Sequence, residues 1–426
     1  MLNANRRVAV IGGLRIPFVR SFKEYKRTTN QEMLTACLSG LVDKFKLRGK
    51  RIGDVGLGAV MKSSIEWNLA REVVLGTGLD ARTPGFNVQR ACGTSMEAIN
   101  LIALKIATGQ IDSGIGAGSD TNSDLPVMLQ RGLAWKIIDF NQAKTFTEKL
   151  SAAFSVRPAD LKPAYPGIVE PRTGLSMGQH TEKMVKEFNI SRGEQDNFAF
   201  DSHRKAAAAY VEGFYNDLLQ TFKSVSKDTI VRADTNLEKL SRLPSVFDKS
   251  SAGSLTAGNS TALSDGAAAV LLTSEEYAIT NSLEIESFVR DVAVSSVDYV
   301  KGAGLLMAPT HAVAKLLVRN RMKLQDFDVY EIHEAFAGQV LCTLKAWESE
   351  DYCRRQLGVD GALGPIDANK INIKGGSLAL GHPFGATGAR IVGTLSKILK
   401  ERGRGIGLIS ICTAGGMGIA AILERK

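Results

Sequence analysis

The stretch Asn87-Val88-Gln89-Arg90-Ala91-Cys92-Gly93-Thr94-Ser95-Met96 decides how this chain is built. A short β run at Phe86-Asn87-Val88 precedes Cys92, and Met96, Ile99, Ala103 and Ile106 then keep helical spacing up to Gly109. A thiol therefore stands where a strand pattern gives way to a helix pattern. A helix start carries about half a positive charge and unpaired N–H groups, which predicts a thiolate favoured over the thiol. Ala91, Gly93, Thr94 and Ser95 are small, so a bulky group can reach the sulfur. Free cysteines are also common core residues, and for Cys92 alone both readings stand.

Working outward, Arg7 to Ile11 reads as a β run closed by Gly12-Gly13. Gln31 to Phe45 places Met33, Leu34, Cys37, Leu38, Leu41, Val42 and Phe45 on one helical face, with Cys37 as plain core. Ser113 to Gly118 is a small-residue strand ending at Ser119-Asp120. From Leu125 to about Phe247 polar helices and a Pro-containing loop interrupt this rhythm, as an insertion would. The rhythm resumes at Gly253 to Ser260 and runs into Ala267 to Leu272. Asp328 to Ile332 then reads as a strand and Glu334 to Trp347 as a helix. Asn372-Ile373-Lys374-Gly375-Gly376-Ser377 echoes Asn87-Val88-Gln89-Arg90-Ala91-Cys92 before a second Gly-rich helix entry. Gly405 to Ile411 and Gly418 to Leu423 flank a Gly turn as the last strands. The pattern is α/β, in two similar halves with an insertion in the first. The first half is expected over 1–124, completed by 253–278, the loop domain over 125–252, and the second half over 279–426.

A chain of 426 residues suggests two to three compact units, and 44% hydrophobic with 23% charged residues is a globular composition. No apolar run approaches the roughly 18 to 20 residues that span a bilayer. Met1-Leu2-Asn3-Ala4-Asn5 runs almost directly into Val8-Ala9-Val10-Ile11, leaving no room for a targeting peptide, and Leu423-Glu424-Arg425-Lys426 is no peroxisomal address. Five irregularly spaced cysteines (Cys37, Cys92, Cys342, Cys353, Cys412) favour a reducing compartment, the cytoplasm, over a disulfide framework. With no C-x-x-C pair and scattered histidines, no structural metal site is expected. The net charge of +9 suits a polyphosphate ligand or an anionic membrane surface. Basic residues are spread rather than interleaved with aromatics, so nucleic acid is not expected as a partner.

Three further places carry chemistry. His382 lies in Gly381-His382-Pro383-Phe384-Gly385-Ala386-Thr387-Gly388, where an imidazole can take a thiol proton or donate to an oxyanion, or simply cap a turn. Cys412 ends a β run and opens Thr413-Ala414-Gly415-Gly416, whose N–H groups can form an anion nest; a buried strand-end cysteine is the plainer reading. His333-Glu334 stands at another strand-to-helix switch, as a ligand group or as a cap. The Gly-rich stretches at Gly114 to Gly118 and Gly415 to Gly418 lack the spacing and the acidic residue of a dinucleotide site, and there is no P-loop.

Taken together, Cys92, His333-Glu334-Ala335-Phe336, Gly381-His382-Pro383 and Cys412 resemble the thiolase superfamily in order and spacing, as do Thr256-Ala257-Gly258-Asn259-Ser260 and Ser264-Asp265-Gly266-Ala267-Ala268. The likeness runs from about Arg7 to Leu423. Most thiolases read Asn-Glu-Ala-Phe where this chain has His333-Glu334-Ala335-Phe336, and Cys-x-Gly where it has Cys412-Thr413-Ala414. With Arg71 to Gly78 and the extended Leu125 to Pro166 segment, these departures are most similar to the β-subunits of bacterial fatty-acid-oxidation trifunctional complexes.

The resemblance implies a thiolase fold, two βαβαβαββ halves in a five-layered αβαβα core with the loop domain inserted in the first. It implies a two-step cleavage of 3-ketoacyl-CoA by CoA in β-oxidation, without metal or other cofactor. Cys92 would carry the acyl group, His382 would deprotonate it, and Cys412 would move the proton to and from carbon. One oxyanion would face His382 and a water held by His333, the other the N–H groups of Cys92 and Ala414, with Gly415 completing the turn. An alanine at 414, where the family has glycine, is expected to make a positive φ costlier by roughly 1 kcal/mol. Met177 matches a position bordering the acyl pocket; Ser260, Thr261 and, more loosely, Arg242 match positions near CoA. The implied partners are a second copy, as a homodimer or dimer of dimers, and a hydratase/dehydrogenase α-subunit.

Between Leu125 and Ala164, Leu129, Leu133, Trp135, Ile137, Ile138, Phe140 and Phe146 mix with Arg131, Lys136, Lys144, Lys149 and Arg157. Such a segment can lie on an anionic bilayer or a partner subunit, or merely roof an acyl tunnel. The competing functions are an acetoacetyl-CoA-forming biosynthetic thiolase, a ketoacyl synthase (which has no catalytic second cysteine), a non-catalytic acyl-CoA-binding subunit and a Cys-His thioester hydrolase.

Overall fold

Eleven consecutive buried residues, Ser264–Ser274, form the strand around which the first half is built. Its alternate side chains go to opposite faces, as the period of a strand requires. Ala268, Val270 and Leu272 enter one core and Ala267, Ala269 and Leu271 another. The computed structural model describes residues 6–167 and 169–426. Met1–Asn5, on which the expectation about a targeting peptide rests, lie outside them.

In chain order the principal elements begin with β1 (Val8–Arg15), α1 (Asn30–Lys44), β2 (Asp54–Ala59), α2 (Leu69–Leu75), β3 (Gly85–Asn87), α3 (Thr94–Ala107) and β4 (Ser113–Asp120). The insertion contributes α4 (Arg131–Gln142), α5 (Phe146–Phe154), α6 (Met177–Glu187) and α7 (Arg192–Val211), before β5 (Ser264–Ser274). There follow β6 (Ser287–Ser296), α8 (Ala308–Asn320), β7 (Val329–Ile332), α9 (Ala337–Glu348), α10 (Thr387–Arg402), β8 (Gly405–Thr413) and β9 (Met417–Arg425). Hydrogen bonding gives the strand order β7-β8-β9-β6-β1-β5-β4-β2-β3. The two halves meet where β1 pairs antiparallel with β6, from Val8↔Val289 to Val10↔Ser287.

Core composition defines the layers. Helices α3 and α10 share one cluster with Val8 and Val10, with Val270 and Leu272, and with Ile409, Ile411, Ile419 and Leu423, so they lie between the two halves of this continuous sheet, which stand as a first and a second sheet layer. The outer face of the first sheet packs on α1 and α2 through Leu34, Leu41, Val55, Leu57 and Val73. The outer face of the second packs on α8 and α9 through Leu316, Val340, Leu408 and Ile422. The result is five layers, αβαβα, as the resemblance implies. The apolar stripe foreseen on α1 is buried from Met33 to Val42, with Cys37 inside it, and Thr29 and Glu32 close a capping box at its start.

The echo between halves has a structural counterpart. Leu57 pairs parallel with Asn87, and Tyr330 pairs parallel with Ile371. Glycine permits the central contacts: a Cβ at Gly118 would collide with the Gly385 carbonyl, and one at Gly388 with the backbone of Met96. The histidine loop thus lies against β4 and the start of α3.

One boundary differs from the sequence reading. The helix expected from Glu334 begins only at Ala337, after an extended Phe336 (φ −144°). The Glu334 carboxylate is buried and takes hydrogen bonds from Ser202 Oγ (2.7 Å), Asn372 Nδ2 (2.6 Å) and Leu378 N (3.1 Å), which draw it out of helical register. Among the described residues no helix is long and apolar enough to cross a membrane.

Candidate active site

Cys92 leaves β3 just before α3, His382 sits in the loop before α10, His333 follows β7 and Cys412 lies near the end of β8. Strand ends and helix starts of both halves therefore converge on one point. Ala91, held at φ 42°, makes the turn that presents Cys92. That left-handed conformation costs a non-glycine residue about 1–2 kcal/mol. Thr94 offsets it locally: its hydroxyl donates to the Ala91 carbonyl (2.7 Å) and accepts from Arg90 N (2.9 Å).

Cys92 Sγ lies 3.3 Å from His382 Nε2. The backbone N–H groups of Ala414 and of Cys92 itself also point at Sγ. By surface area Cys92 is only half-buried, yet its sulfur is desolvated. Burial pushes the thiol up to about 12, against the opposing pull of those N–H groups. The stabilised thiolate expected from the helix start is therefore corrected, because desolvation outweighs the helix-terminal field. His382 is buried, and desolvation followed by the positive charge of Arg390 pulls it down to about 3. The resting pair is a neutral thiol facing a neutral imidazole.

Hydrogen-bond bookkeeping assigns the His382 tautomer. Its Nδ1 lies 2.6 Å from Thr387 Oγ1, and that hydroxyl donates to the Pro383 carbonyl (3.2 Å). The threonine oxygen therefore accepts from Nδ1–H, and Nε2 keeps its lone pair towards Cys92. The loop is pinned from below by Asp120, whose buried carboxylate accepts from Gly385 N (2.6 Å) and Met61 N (2.7 Å).

Cys412 is buried, and its thiol is pushed well above the usual range by desolvation and then by the nearby Cys92 sulfur. The backbone N–H groups of Cys412 and Ala335 oppose that shift. In the turn that follows, positive φ falls on Gly415 (77°) and Gly416 (67°) and not on Ala414. The strain expected of alanine at 414 is absent, because the left-handed positions come one and two residues later. Gly415 N donates to Glu170 Oε1 (2.7 Å), so it is committed to holding the turn. Tyr299 Oη donates to the other oxygen of Glu170 (3.0 Å). A methyl group at Gly416 would lie 2.7 Å from Tyr299 Cδ1 and 2.8 Å from Val297 O. With its positive φ, Gly416→Ala is expected to destabilise the fold by about 2–3 kcal/mol in urea unfolding. Ala414→Gly is expected to change stability by less than about 1 kcal/mol.

His333 is fully buried, its ring centroid 4.2 Å from that of His382 and tilted by 49°. Nδ1 lies 2.9 Å from Ser377 Oγ, and Nε2 has no hydrogen-bond partner among the described residues. Burial first, then His382 and Arg390, keep this ring neutral. Cys92, His333 and His382 bring one sulfur and two ring nitrogens within 4.8 Å of one another, a set that can hold a soft cation. The hydrogen bonds behind both rings and at Sγ suit them equally to proton transfer.

Beside this centre lies a cavity of about 370 Å³ whose lining includes Arg20, Arg232, Phe247, Ser260, Thr261 and Leu378. Ser260 Oγ is buried there without a partner among the described residues, and Thr261 is tied through N and Oγ1 to the Ala335 carbonyl (both 3.1 Å). Met177 packs elsewhere, against the cluster that contains Cys412 and Phe336. Arg242 caps the short helix Leu237–Ser241, exposed and paired with Glu238, outside the cavity lining. Of the residues singled out from sequence, Cys92, His382, His333, Cys412, Ala414 and Gly415 gather at one centre, and Ser260 and Thr261 line the adjoining cavity. Glu170, Asp120, Thr387, Ser377 and the two cavity arginines were not foreseen. Asp120 has a visible signal as the end of a small-residue strand, and Ser377 has one as the counterpart of Cys92 in the internal echo.

The thiolase N-terminal domain family matches residues 8–276, and the thiolase C-terminal domain family matches 283–425. The chain is 40% identical over 424 residues to a 3-ketoacyl-CoA thiolase of Pectobacterium carotovorum, covering 98% of this chain and 96% of that protein. It is 39% identical over 427 residues to one of Vibrio cholerae, covering 99% and 98%. Among solved structures, the Bacillus anthracis acetyl-CoA acetyltransferase superposes with a TM-score of 0.82 at 28% identity over all of both chains. Human mitochondrial 3-ketoacyl-CoA thiolase superposes with a TM-score of 0.80 at 26% identity over 99% of each. With both family domains matched end to end around the paired cysteines and histidines, the chain belongs to the thiolase family.

Proposed function

We propose that this protein is a 3-ketoacyl-CoA thiolase of fatty-acid β-oxidation, which cleaves 3-ketoacyl-CoA with CoA to acetyl-CoA and a shortened acyl-CoA. The observation that carries the reading is the 3.3 Å approach of Cys92 Sγ to the unprotonated Nε2 of His382, with a second thiol, Cys412, at the same centre. A ketoacyl synthase has no catalytic use for that second thiol. The whole-chain likeness to proteins named 3-ketoacyl-CoA thiolase favours the degradative reading over the biosynthetic one.

His382 Nε2 takes the Cys92 proton as the sulfur attacks the 3-keto carbon. The oxyanion then faces the N–H groups of Cys92 and Ala414, where each donor is typically worth ~3 kcal/mol. Collapse breaks the bond between C2 and C3, leaving an acyl group on Cys92 and an acetyl-CoA enolate. Cys412 protonates the enolate carbon and becomes a thiolate. After acetyl-CoA leaves, that thiolate takes the proton of incoming CoA, whose sulfur attacks the acyl-cysteine. Cys92 departs and recovers its proton from His382. A neutral Cys92–His382 pair suits this cycle, since the proton moves only when substrate sulfur chemistry begins.

The arginine-lined cavity suits the phosphates of CoA, with Ser260 and Thr261 near its polar chain and Met177 towards the acyl end. The test is to mix the protein with a 3-ketoacyl-CoA without free CoA and measure intact mass. An acyl adduct on Cys92 is expected, and its absence would sink the mechanism.

The proposed assembly is a cytoplasmic homodimer or dimer of dimers, docked to a hydratase/dehydrogenase α-subunit. Helix α5 buries no residue, and α4 buries only Leu133. Trp135, Phe146 and Phe154 are 56%, 77% and 81% exposed, and Arg131 stacks on Trp135. Lys136 is instead spent on Asp160. This face is proposed to rest on an anionic membrane. Deleting Val127 to Phe154 is expected to abolish co-sedimentation with anionic vesicles. If vesicle binding and complex assembly both survive the deletion, the segment has another role.

A further inference from the structure

We infer that Arg390, acting through Ser377, holds His333 in the tautomer that carries its proton on Nε2, so that His333 serves as a hydrogen-bond donor while His382 serves as the base. A guanidinium can only donate. Arg390 Nη2 donates to Ser377 Oγ at 2.8 Å, and Ser377 Oγ lies 2.9 Å from His333 Nδ1. Ser377 is fully buried, and its hydroxyl has no other partner in the hydrogen-bond network of the described residues. Its hydrogen therefore goes to Nδ1, which leaves the ring proton on Nε2.

That Nε2–H is buried with no hydrogen-bond partner among the described residues. An unpaired buried donor ordinarily costs about 1–3 kcal/mol, so a site that keeps one has a use for it. It stands beside the ring of His382, where the acetyl-CoA enolate oxygen of the proposed reaction would form. Behind His382 the arrangement is reversed: the hydroxyl hydrogen of Thr387 is spent on Pro383, so its oxygen accepts from Nδ1–H. Two hydroxyls, one beside an arginine and one beside a carbonyl, thus give two neighbouring imidazoles opposite roles.

Arg390 also keeps the tautomer meaningful, because a doubly protonated ring has none. Its charge opposes protonation of both rings, after burial and, for His333, after His382. Arg390 is itself buried, with Glu331 3.7 Å from Nη1, and its Nε and Nη1 make no hydrogen bond among the described residues. The hydrogen bond to Ser377 is therefore a principal polar anchor of its head group. Arg390 and Ser377 are positioning residues, since neither touches the reacting atoms.

The inference rests on the thiolase reading only for what the Nε2–H serves. The test is ¹⁵N NMR of the full chain labelled at its histidines, with the His333 signals assigned from a His333→Asn variant. At neutral pH, His333 is expected neutral with the proton on Nε2, and His382 neutral with the proton on Nδ1. Ser377→Ala is expected to populate the Nδ1–H form of His333 and to lower kcat on the order of 10²-fold. KM and the rate of Cys92 alkylation by iodoacetamide should stay unchanged. A wild-type His333 with its proton on Nδ1, or a Ser377→Ala protein with both spectrum and kcat unaltered, would overturn the inference. Should Ser377→Ala fail to fold, the wild-type spectrum decides by itself. A missing acyl adduct on Cys92 would remove the thiolase reading without altering the tautomer.

Discussion

Cys92→Ala is expected to lower thiolysis by on the order of 10⁴-fold or more, because it removes the only atom the mechanism has for holding the acyl group between half-reactions. The effect should fall on kcat. The cavity that suits CoA is lined by residues remote in sequence, such as Arg20, Arg232 and Ser260, so CoA affinity measured by calorimetry should be retained. The fold should also survive, since the turn at Ala91 is held by Thr94 and not by the sulfur. Intact mass of the variant with 3-ketoacyl-CoA should show no adduct, where the wild type shows one. Cys92→Ser should lose nearly as much. A neutral imidazole held as low as His382 is a weak base for a hydroxyl far less acidic than a thiol. An acyl adduct on the Cys92→Ala protein would place the nucleophile elsewhere, and Cys412 would be the next residue to examine.

The groups proposed to react are legible in the sequence and the groups that orient them are not, for a physical reason. Cys92, His382 and Cys412 each sit among glycines and other small residues, a local composition that a packed core does not require, so the signal lies within a few residues of each. Ser377 and Arg390 are proposed to act on His333 across 44 and 57 positions of chain, Ser377 by direct contact and Arg390 through Ser377. No periodicity reports such a contact. Glu170 comes from the insertion, where the chain lacks the α/β rhythm, yet it clamps the Gly415 turn from 245 residues away. The internal echo was more informative than its weak sequence match suggested. Ser377 stands in the second half where Cys92 stands in the first, each at the end of a parallel pairing and the start of a helix. One device presents the nucleophile, and its counterpart supports the neighbouring imidazole. The expected thiolate and the expected strain at Ala414 failed for a shared reason. Both extrapolated from local chain geometry, while the outcome was set by burial at Cys92 and by a turn that begins one residue later.

Cys412→Ala is expected to separate the two half-reactions. Cleavage of the bond between C2 and C3 leaves an enolate that must be protonated at carbon, and a positioned acid is typically worth 10²–10⁴-fold. Overall thiolysis should therefore fall by about 10³-fold. Acylation of Cys92 by an activated thioester should persist, because its leaving group departs as a stable thiolate and needs no proton on carbon. Intact mass would then show an acyl-enzyme that accumulates and is released only slowly by CoA, whose proton Cys412 no longer takes. A second readout is independent of turnover. The wild-type protein should exchange the methyl protons of acetyl-CoA with deuterated solvent, since Cys412 as thiolate can remove the proton it delivers in the cleavage direction. The variant should lose that exchange. Its fold should hold, as Cys412 lies in a strand flanked by β7 and β9 and the lost sulfur leaves a cavity worth only about 1–2 kcal/mol. Retention of full exchange by Cys412→Ala would assign the carbon acid to another group, and the neighbouring His382, whose Nε2 keeps its lone pair, would be the residue to test in its place.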